Sequence, residues 1–371
     1  MNTTYELNNL RKDADYVTKN LRANSIVSEV FSAMVNGKEL SAIKGADKAV
    51  AYIKGLGEKA ELGDTSAVAE LNTLRRFVIE TPLMQEIKLL GIFGTYKAVG
   101  YDETIEREIY KHVGERSREQ AASGDVVFPA IVKESYPVTT FTVSGGYAVD
   151  YRRVALGDMS KENEGMEQVR IDIRNRAMRA IIERIYKALQ EATGVKYMVE
   201  DAGLTKTTVD DALAKLRRHG KLTVIGDYAL LSQFTPWAGY VGNINSNTIT
   251  GISEKVMNEI SENGLLGRYN GSVLSEMPNP YDFYAPLVED ENGNKNFQTL
   301  LPAGLGFIIP TGAQSPIATY TRGGLTSFTG NNVKNGKIET RFDLEVGCDI
   351  AKTQEYKIGT IYDTNLGGLD V

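Results

Sequence analysis

Residues 160–194 read SKENEGMEQVRIDIRNRAMRAIIERIYKALQEATG, and the spacing of their apolar side chains decides how the rest of the chain is arranged. Met166, Val169, Ile173, Ala177, Ile181, Ile185, Ala188 and Ala192 recur at intervals of three and four, the repeat that puts side chains on one face of an α-helix. Toward the end Ile182, Tyr186 and Leu189 widen the stripe, while Arg170, Arg174, Arg176, Arg179 and Arg184 load the polar side. Ser160 offers an oxygen to the first unpaired amides, Glu162 and Glu164 complement the positive end of the dipole, and Gly194 suits a left-handed stop. At 1.5 Å per residue this helix is ~50 Å long, against about three turns for an ordinary one. No heptad repeat continues beyond it, and strand-like sequence lies on both sides, so it reads as a beam with sheet packed along it.

The sheet is legible downstream in residues 337–351, KIETRFDLEVGCDIA. Ile338, Thr340, Phe342, Leu344, Val346, Cys348 and Ile350 alternate there with Glu339, Arg341, Asp343, Glu345 and Asp349. One face of that strand must be covered, and the beam's apolar stripe is the natural cover. Tyr356, Ile358 and Thr360 suggest a further strand beside it. Upstream, Thr139, Phe141 and Val143 alternate, and Tyr147, Val149 and Tyr151 resume the pattern after Gly145-Gly146, which predicts a long returning strand with a bulge at the glycines. Its outgoing limb, residues 95–113, is ambiguous: Ile105, Ile109 and Val113 fit a helix and also step by two. Between the limbs GERSREQAASGDV supplies only a polar tip, which favours an extended hairpin projecting from the body over a helix.

The segment before Gly94 is helical by pattern. Leu10, Ala14, Val17 and Leu21 form one stripe, and Ile26, Val27, Val30, Phe31 and Met34 form another ahead of Gly37. Val68, Leu71, Leu74 and Val78 form a third, entered through Asp64 and halted at Thr81-Pro82. Stripes this short are marginal alone in water and must dock on something. The segment is either an arm or assembly-control segment, or a small helical domain. After the beam, Thr207 or Thr208 is expected to cap a helix carrying Val209, Leu213 and Leu216, with Arg217, Arg218 and His219 at its negative end before Gly220. KLTVIGDYALL then predicts a buried strand and a helix start, with Trp237 and Tyr240 in the next loop. Ile252, Val256 and Ile260 mark one more helix, residues 264–280 are rich in turns, and GLGFIIPTG from Gly304 reads as a loop.

The 371 residues are 42% hydrophobic and 24% charged, enough for a sizeable core and for two domains. A net charge of -6 argues against general affinity for nucleic acid, though not against a shell that encloses it without gripping it. Cys348 is the one cysteine, so an internal disulfide and a cysteine metal cluster are excluded and a reducing compartment fits. With His112 and His219 the only histidines, a multi-histidine metal site has no ligands. The N-terminus carries no basic-then-apolar signal and no apolar run reaches membrane-spanning length, so a cytosolic protein without membrane contact is expected. Phosphate-loop, zinc-protease and nucleophile-elbow motifs are missing, and Asp210-Asp211 is explained by a helix's first turn. Catalytic, cofactor-binding and metal residues are accordingly expected to be none, and cofactors none.

Helical arm, projecting hairpin, long spine helix, α/β insert with a turn-rich apex and final strands, in that order, resemble the major capsid protein of tailed double-stranded DNA phages, the Hong Kong 97-type fold. The residues that carry the resemblance are VSGGYAVDYRRVALGDMSKENEG, GRYNGSVLSEMPNP and KIETRFDLEVGCDIAKTQEYKIG. From roughly Thr95 to the C-terminus it implies an α+β protein whose residues 95–158 form the extended loop, after a helical arm of residues 1–94 that departs from a simple extended arm. Residues 159–204 with 317–371 would form a peripheral domain containing the spine, and 205–316 an axial domain. It also implies self-assembly into hexamers and pentamers of an icosahedral shell around DNA, with scaffold, portal and decoration proteins as further partners, and a place in the virion after synthesis in the host cytoplasm. Some members crosslink a loop lysine to a neighbour's asparagine. Lys111 or Lys133 with Asn331 or Asn332 would stand in those roles, although lysines on a hairpin and asparagines at a turn are ordinarily just solvated. An encapsulin-type shell with protein cargo shares the fold, and an enzyme of unrelated class would need a cleft that the sequence does not reveal.

Overall fold

The computed structural model describes residues 26–88, 93–114, 119, 128, 130–149, 155–157, 159–238, 265–283, 285–289, 293–311, 315–332, 337–352 and 354–366. The stripes at Leu10–Leu21 and Ile252–Ile260, Tyr240 and nearly all of the hairpin tip lie outside the described residues. Helices α1 (Ile26–Val35), α2 (Ala46–Glu61) and α3 (Thr65–Lys88) come first. Strands β1 (Thr95–Val99), β2 (Glu106–Val113), β3 (Ala130–Pro137) and β4 (Thr140–Val149) follow, and then the spine, α4 (Ser160–Glu191).

The spine spans 32 residues. Met166, Val169, Ile173, Ala177, Ile181 and Ile185 are buried along it as the repeat requires, and the stripe then drifts onto Ile182, Tyr186 and Leu189, leaving Ala188 exposed. Such drift follows from a 3.6-residue turn under a stripe read at strict intervals. Both expected end signals are corrected. Ser160 is the first helical residue, and Met159 occupies the cap position without a side-chain bond. The far end stops at Ala192, whose extended backbone (φ -57°, ψ 131°) leaves the helix with no left-handed glycine.

Beside the spine lies a four-stranded sheet ordered β1-β14-β15-β4, in which β14 (Ile317–Asn332) and β15 (Lys337–Ile350) are the long antiparallel pair. Phe342, Leu344 and Val346 of β15 join Val143 of β4 in one core with Ile173 and Ile181, so the strand predicted to share the spine's core does so. The glycines of β4 are not a bulge: Gly145 and Gly146 pair in unbroken register with Phe342 and Arg341. They mark close approach instead. A Cβ on Gly145 would sit 3.1 Å from Ile173 Cγ1, and one on Gly165 of the spine 2.7 Å from the Tyr147 ring. A side chain at Gly165 would force the Tyr147 ring to move, and one at Gly145 would push Ile173 by a few tenths of an ångström. Helix α3 packs between the spine and β14, and it runs through Pro82 instead of halting there. The cost is one ladder bond, because proline has no N–H to offer the Val78 carbonyl.

A second sheet has the order β5-β16-β13-β6-β8-β7. Its strands are β5 (Tyr197–Asp201), β6 (Leu222–Gly226), β7 (Arg268–Tyr269), β8 (Ser272–Glu276), β13 (Leu305–Pro310) and β16 (Gly359–Asp363). The GLGFIIP stretch read as a loop is thus an inner strand. All six residues of β13 are buried; Leu305, Phe307 and Ile309 belong to the spine's core, and Ile308 faces a second core built on α5 (Lys206–Leu216). Burial on both faces removes the alternation that marks a half-buried strand. The strand expected near Tyr356–Thr360 begins at Gly359 and pairs with β13 and β5, not with β15. Helix α5 is capped by Thr205, whose hydroxyl accepts from the Thr208 N–H, rather than by Thr207 or Thr208. Asp227 caps α6 (Tyr228–Ser232), and Trp237 ends the short α7 (Phe234–Trp237). Between β8 and β13 a lobe holds β9 (Tyr281–Asp282) on β12 (Gln298–Thr299) and β10 (Val288–Glu289) on β11 (Lys295–Asn296).

Candidate assembly surfaces

The projecting element is a ribbon of two strands. β2 and β3 pair from Glu106↔Pro137 to Val113↔Ala130, and the expected hairpin is present, with a different return limb. Residues 140–149 were to have closed it; they lie on β15 instead, and Ala130–Pro137 does the closing. A lone two-stranded ribbon is at best marginally stable in water. Ile109 is buried, yet Tyr110, Val113, Ile131 and Val132 are exposed, Ile131 at 63%. Phe128 below the tip is 87% exposed. Across one face Lys133 donates to Glu108 at 2.6 Å, which lowers the Glu108 pKa and raises that of Lys133.

The ribbon's root is held to the body by a polar cluster. Arg107 of β2 donates to the Asp349 carbonyl at 3.0 Å and to the Pro316 carbonyl at 2.7 Å, with its guanidinium 3.4 Å from the Asp349 carboxylate. Tyr136 of β3 donates to the same carboxylate at 2.7 Å and accepts from the Lys352 N–H at 3.2 Å, and Lys352 Nζ stands 4.4 Å from the ring centroid. Burial pushes the Tyr136 hydroxyl up to about 12, so it is a donor at neutral pH. Burial also raises the Asp349 carboxyl, against the pull of Tyr136 and Arg107. Beneath these groups Val99, Ile105, Ala318 and Tyr320 form a small apolar cluster with Val138.

A second polar node joins the helical segment to the spine. Arg75 is fully buried in α3 and donates twice to Glu162, at 3.0 and 2.9 Å, while its third nitrogen donates to Asn72 at 3.1 Å. Tyr147 of β4 donates to the same carboxylate at 2.9 Å, and Asn72 reaches Thr329 of β14. Four elements thus meet on one buried ion pair. Another exposed apolar patch lies on the lobe, where the rings of Tyr281, Phe283 and Phe297 stand 5.2–6.5 Å apart with Phe283 68% exposed.

The residues considered for crosslinking are not assembled within one subunit. Lys133 is engaged with Glu108 on the ribbon, whereas Asn331 and Asn332 pair with Ile338 and Lys337 at the far end of the four-stranded sheet. The side chains of Lys111, Asn331 and Asn332 are outside the described residues. Cys348 is half-buried in β15, and burial raises its thiol to about 12. His219 packs edge-on to Tyr356 at 5.1 Å. Among the described residues no group of acidic, histidine or cysteine side chains is placed to hold a metal ion, and no helix is long and apolar enough to cross a membrane. The sequence reading missed the Arg107–Tyr136–Asp349 cluster and the Arg75–Glu162 pair. The one available signal was an arginine, Arg75, falling beside Leu71 and Leu74 on an apolar helix face.

Comparison with known protein families matches residues 6–362 to the family model described as "SPbeta prophage-derived putative capsid protein YonB". No curated protein matches. Among solved structures, the chain is similar to a virus-like particle from Pyrococcus furiosus, at 10% identity over 76% of this chain and 97% of that one, with a TM-score of 0.43. The bacteriophage PhiM1 mature capsid is similar at 11% identity over 74% and 86%, TM-score 0.45. Mycobacterium phage Che8 gives 11% over 71% and 86%, TM-score 0.43.

Proposed function

The chain belongs to the YonB family of prophage-derived capsid proteins, and from that premise we propose that it is the major capsid protein, building an icosahedral head shell of hexamers and pentamers around double-stranded DNA. The role is structural, not catalytic. The observation that carries the reading beyond the family is the ribbon β2–β3, which exposes Tyr110, Val113, Ile131 and Val132 and has no core of its own. Such a surface gains by lying on a neighbouring copy, because burial of apolar area is favourable wherever the second surface comes from. The ribbon is then the extended loop within 95–158. The spine and the β14–β15 pair form the peripheral domain of 159–204 and 317–371, and 205–316 supplies the axial domain at the symmetry axes.

On this reading the virion is the protein's place, reached after synthesis in the host cytoplasm, with scaffold, portal and decoration proteins as transient or minor partners. DNA is held by enclosure, since a chain of net charge -6 offers little general attraction to phosphate. Electron microscopy of the purified protein, with its contents extracted, tests the proposal. Icosahedral particles that are empty or DNA-filled are expected. Particles packed with one protein cargo would replace it by an encapsulin-type shell, and a persistent small oligomer would overturn it.

A further inference from the structure

We propose that Arg107, Tyr136 and Asp349 form a clamp that sets the direction in which the ribbon leaves the subunit, and thereby the angle at which neighbouring copies meet. The inference rests on the ribbon's being the element that overlaps a neighbour. Arg107 and Tyr136 are register partners, so the clamp grips both strands on one rung, next to the first pair of the ladder. Both side chains converge on a single carboxylate at the end of β15, and Arg107 also reaches the carbonyl of Pro316, just ahead of β14. Its partners are therefore fixed points of the four-stranded sheet. The Arg107 and Asp349 side chains are only 12% and 19% exposed, so solvent competes weakly for these bonds.

The cluster of Val99, Ile105, Ala318 and Tyr320 beneath cannot do this alone. Apolar contact is non-directional, and it tolerates tilt. A guanidinium fork and a phenol hydroxyl bound to backbone and carboxylate impose angles as well as distances. The eight residues of each strand make a lever. At about 3.3 Å per residue it is ~26 Å long, so a tilt of about 10° at the root carries the tip ~5 Å. That shift is comparable to the spacing between paired strands, enough to change which residues of a neighbour the ribbon meets.

The test uses the full chain with Tyr136→Phe, which keeps the ring beneath Lys352 and removes one hydroxyl, and Arg107→Lys, which keeps the charge and removes the fork. Both variants are expected to be soluble, to melt within about 4 °C of the wild type, and to assemble into particles whose diameters in electron micrographs are broadened or displaced. Particles of the single wild-type size would overturn the clamp, and so would a collapse of the melting temperature, which would make the cluster ordinary core. A third variant lacking Gly114 to Gly124 separates the clamp from the reading beneath it. If that deletion assembles normally, the ribbon does not bridge copies and the clamp falls with it. If it stays soluble without assembling while both clamp variants build uniform shells, the clamp alone is refuted.

Discussion

Replacing Glu162 by alanine should cost far more than any surface change, and the structure gives the size. Glu162 accepts two bonds from the fully buried Arg75 and one from Tyr147. Bonds to a charged group contribute about 1.5–3 kcal/mol each, but the larger effect is the guanidinium left behind in the core with only its remaining neighbours. Truncating one partner of a buried pair costs about 3–5 kcal/mol, a large fraction of the 5–15 kcal/mol that holds a typical domain together. Removing both charges is another matter. With Arg75→Met and Glu162→Leu together, the stranded charge disappears and apolar contact replaces it, so the double variant should be less destabilised than the sum of the singles by at least ~2 kcal/mol. Urea unfolding of the unassembled subunit, followed by far-ultraviolet circular dichroism, measures Glu162→Ala and the four corners of the cycle, which are the wild type, Arg75→Met, Glu162→Leu and the double variant. A cost for Glu162→Ala below ~1 kcal/mol, or strict additivity, would refute the reasoning and place the pair in water.

Leu344→Asp puts an unpaired carboxylate where Leu344 is fully buried between β4 and the spine, and the expected outcome is insoluble protein; normal soluble particles would remove β15 from the core. Stability should fall as pH rises above about 9–10, because the unfolded chain ionises Cys348 and Tyr136 at their ordinary values, 9.0 and 10.0, whereas the folded chain holds both protonated up to about 12. Stability from these groups is therefore complete below pH 9 and lost on approach to pH 12; a flat profile in alkaline denaturation would show that neither group is shielded. Finally, α1–α3 share one core with the spine through Phe31, Ile53, Leu71 and Leu74, so mature particles should retain residues 26–88. Mass spectrometry finding a capsid species that starts beyond Lys88 would contradict that and identify a cleaved assembly segment.

What the sequence reveals and what it hides follow from how each segment is buried. The spine and β15 are covered on one face, so their periods of 3.6 and 2 survive in the pattern and both were legible. β13 is covered on both faces and shows only a run of apolar residues between glycines. Pro82 stopped the sequence reading of α3 because local rules forbid it inside a helix; packing of Ile79 and Leu83 on either side outweighs one lost bond. The glycines of β4 were given a local cause, a bulge, when Gly145 lies against Ile173 and Val169 of the spine and Gly146 against the Thr340 carbonyl of β15. The polar cluster at the ribbon's root could not be seen at all, since Arg107 and Asp349 are 242 residues apart and neither has a neighbour in sequence that betrays the other.

The placement of polar and apolar groups divides the subunit by task. Where separately laddered parts must be joined in one orientation, the joints are polar and nearly dry: Arg75 with Glu162 between helical segment and spine, Arg107 and Tyr136 with Asp349 at the ribbon. A third such joint is Asp363, whose carboxylate accepts from Gln233 and from the backbone of Gly203 and Asn365. Burial works to raise the Asp363 carboxyl, but the Gln233 bond first, and the backbone bonds after it, together hold it below its ordinary value. On the ribbon and at the aromatic lobe of Tyr281, Phe283 and Phe297, apolar groups are left in water on or beside two-stranded ladders that have little core of their own. Directional bonds fix a shape within one copy, and non-directional burial remains available between copies. A chain whose adhesive surfaces are carried on short, rigidly anchored ladders can stay folded alone and still be incomplete until it meets its neighbours, which is the condition a shell subunit has to satisfy.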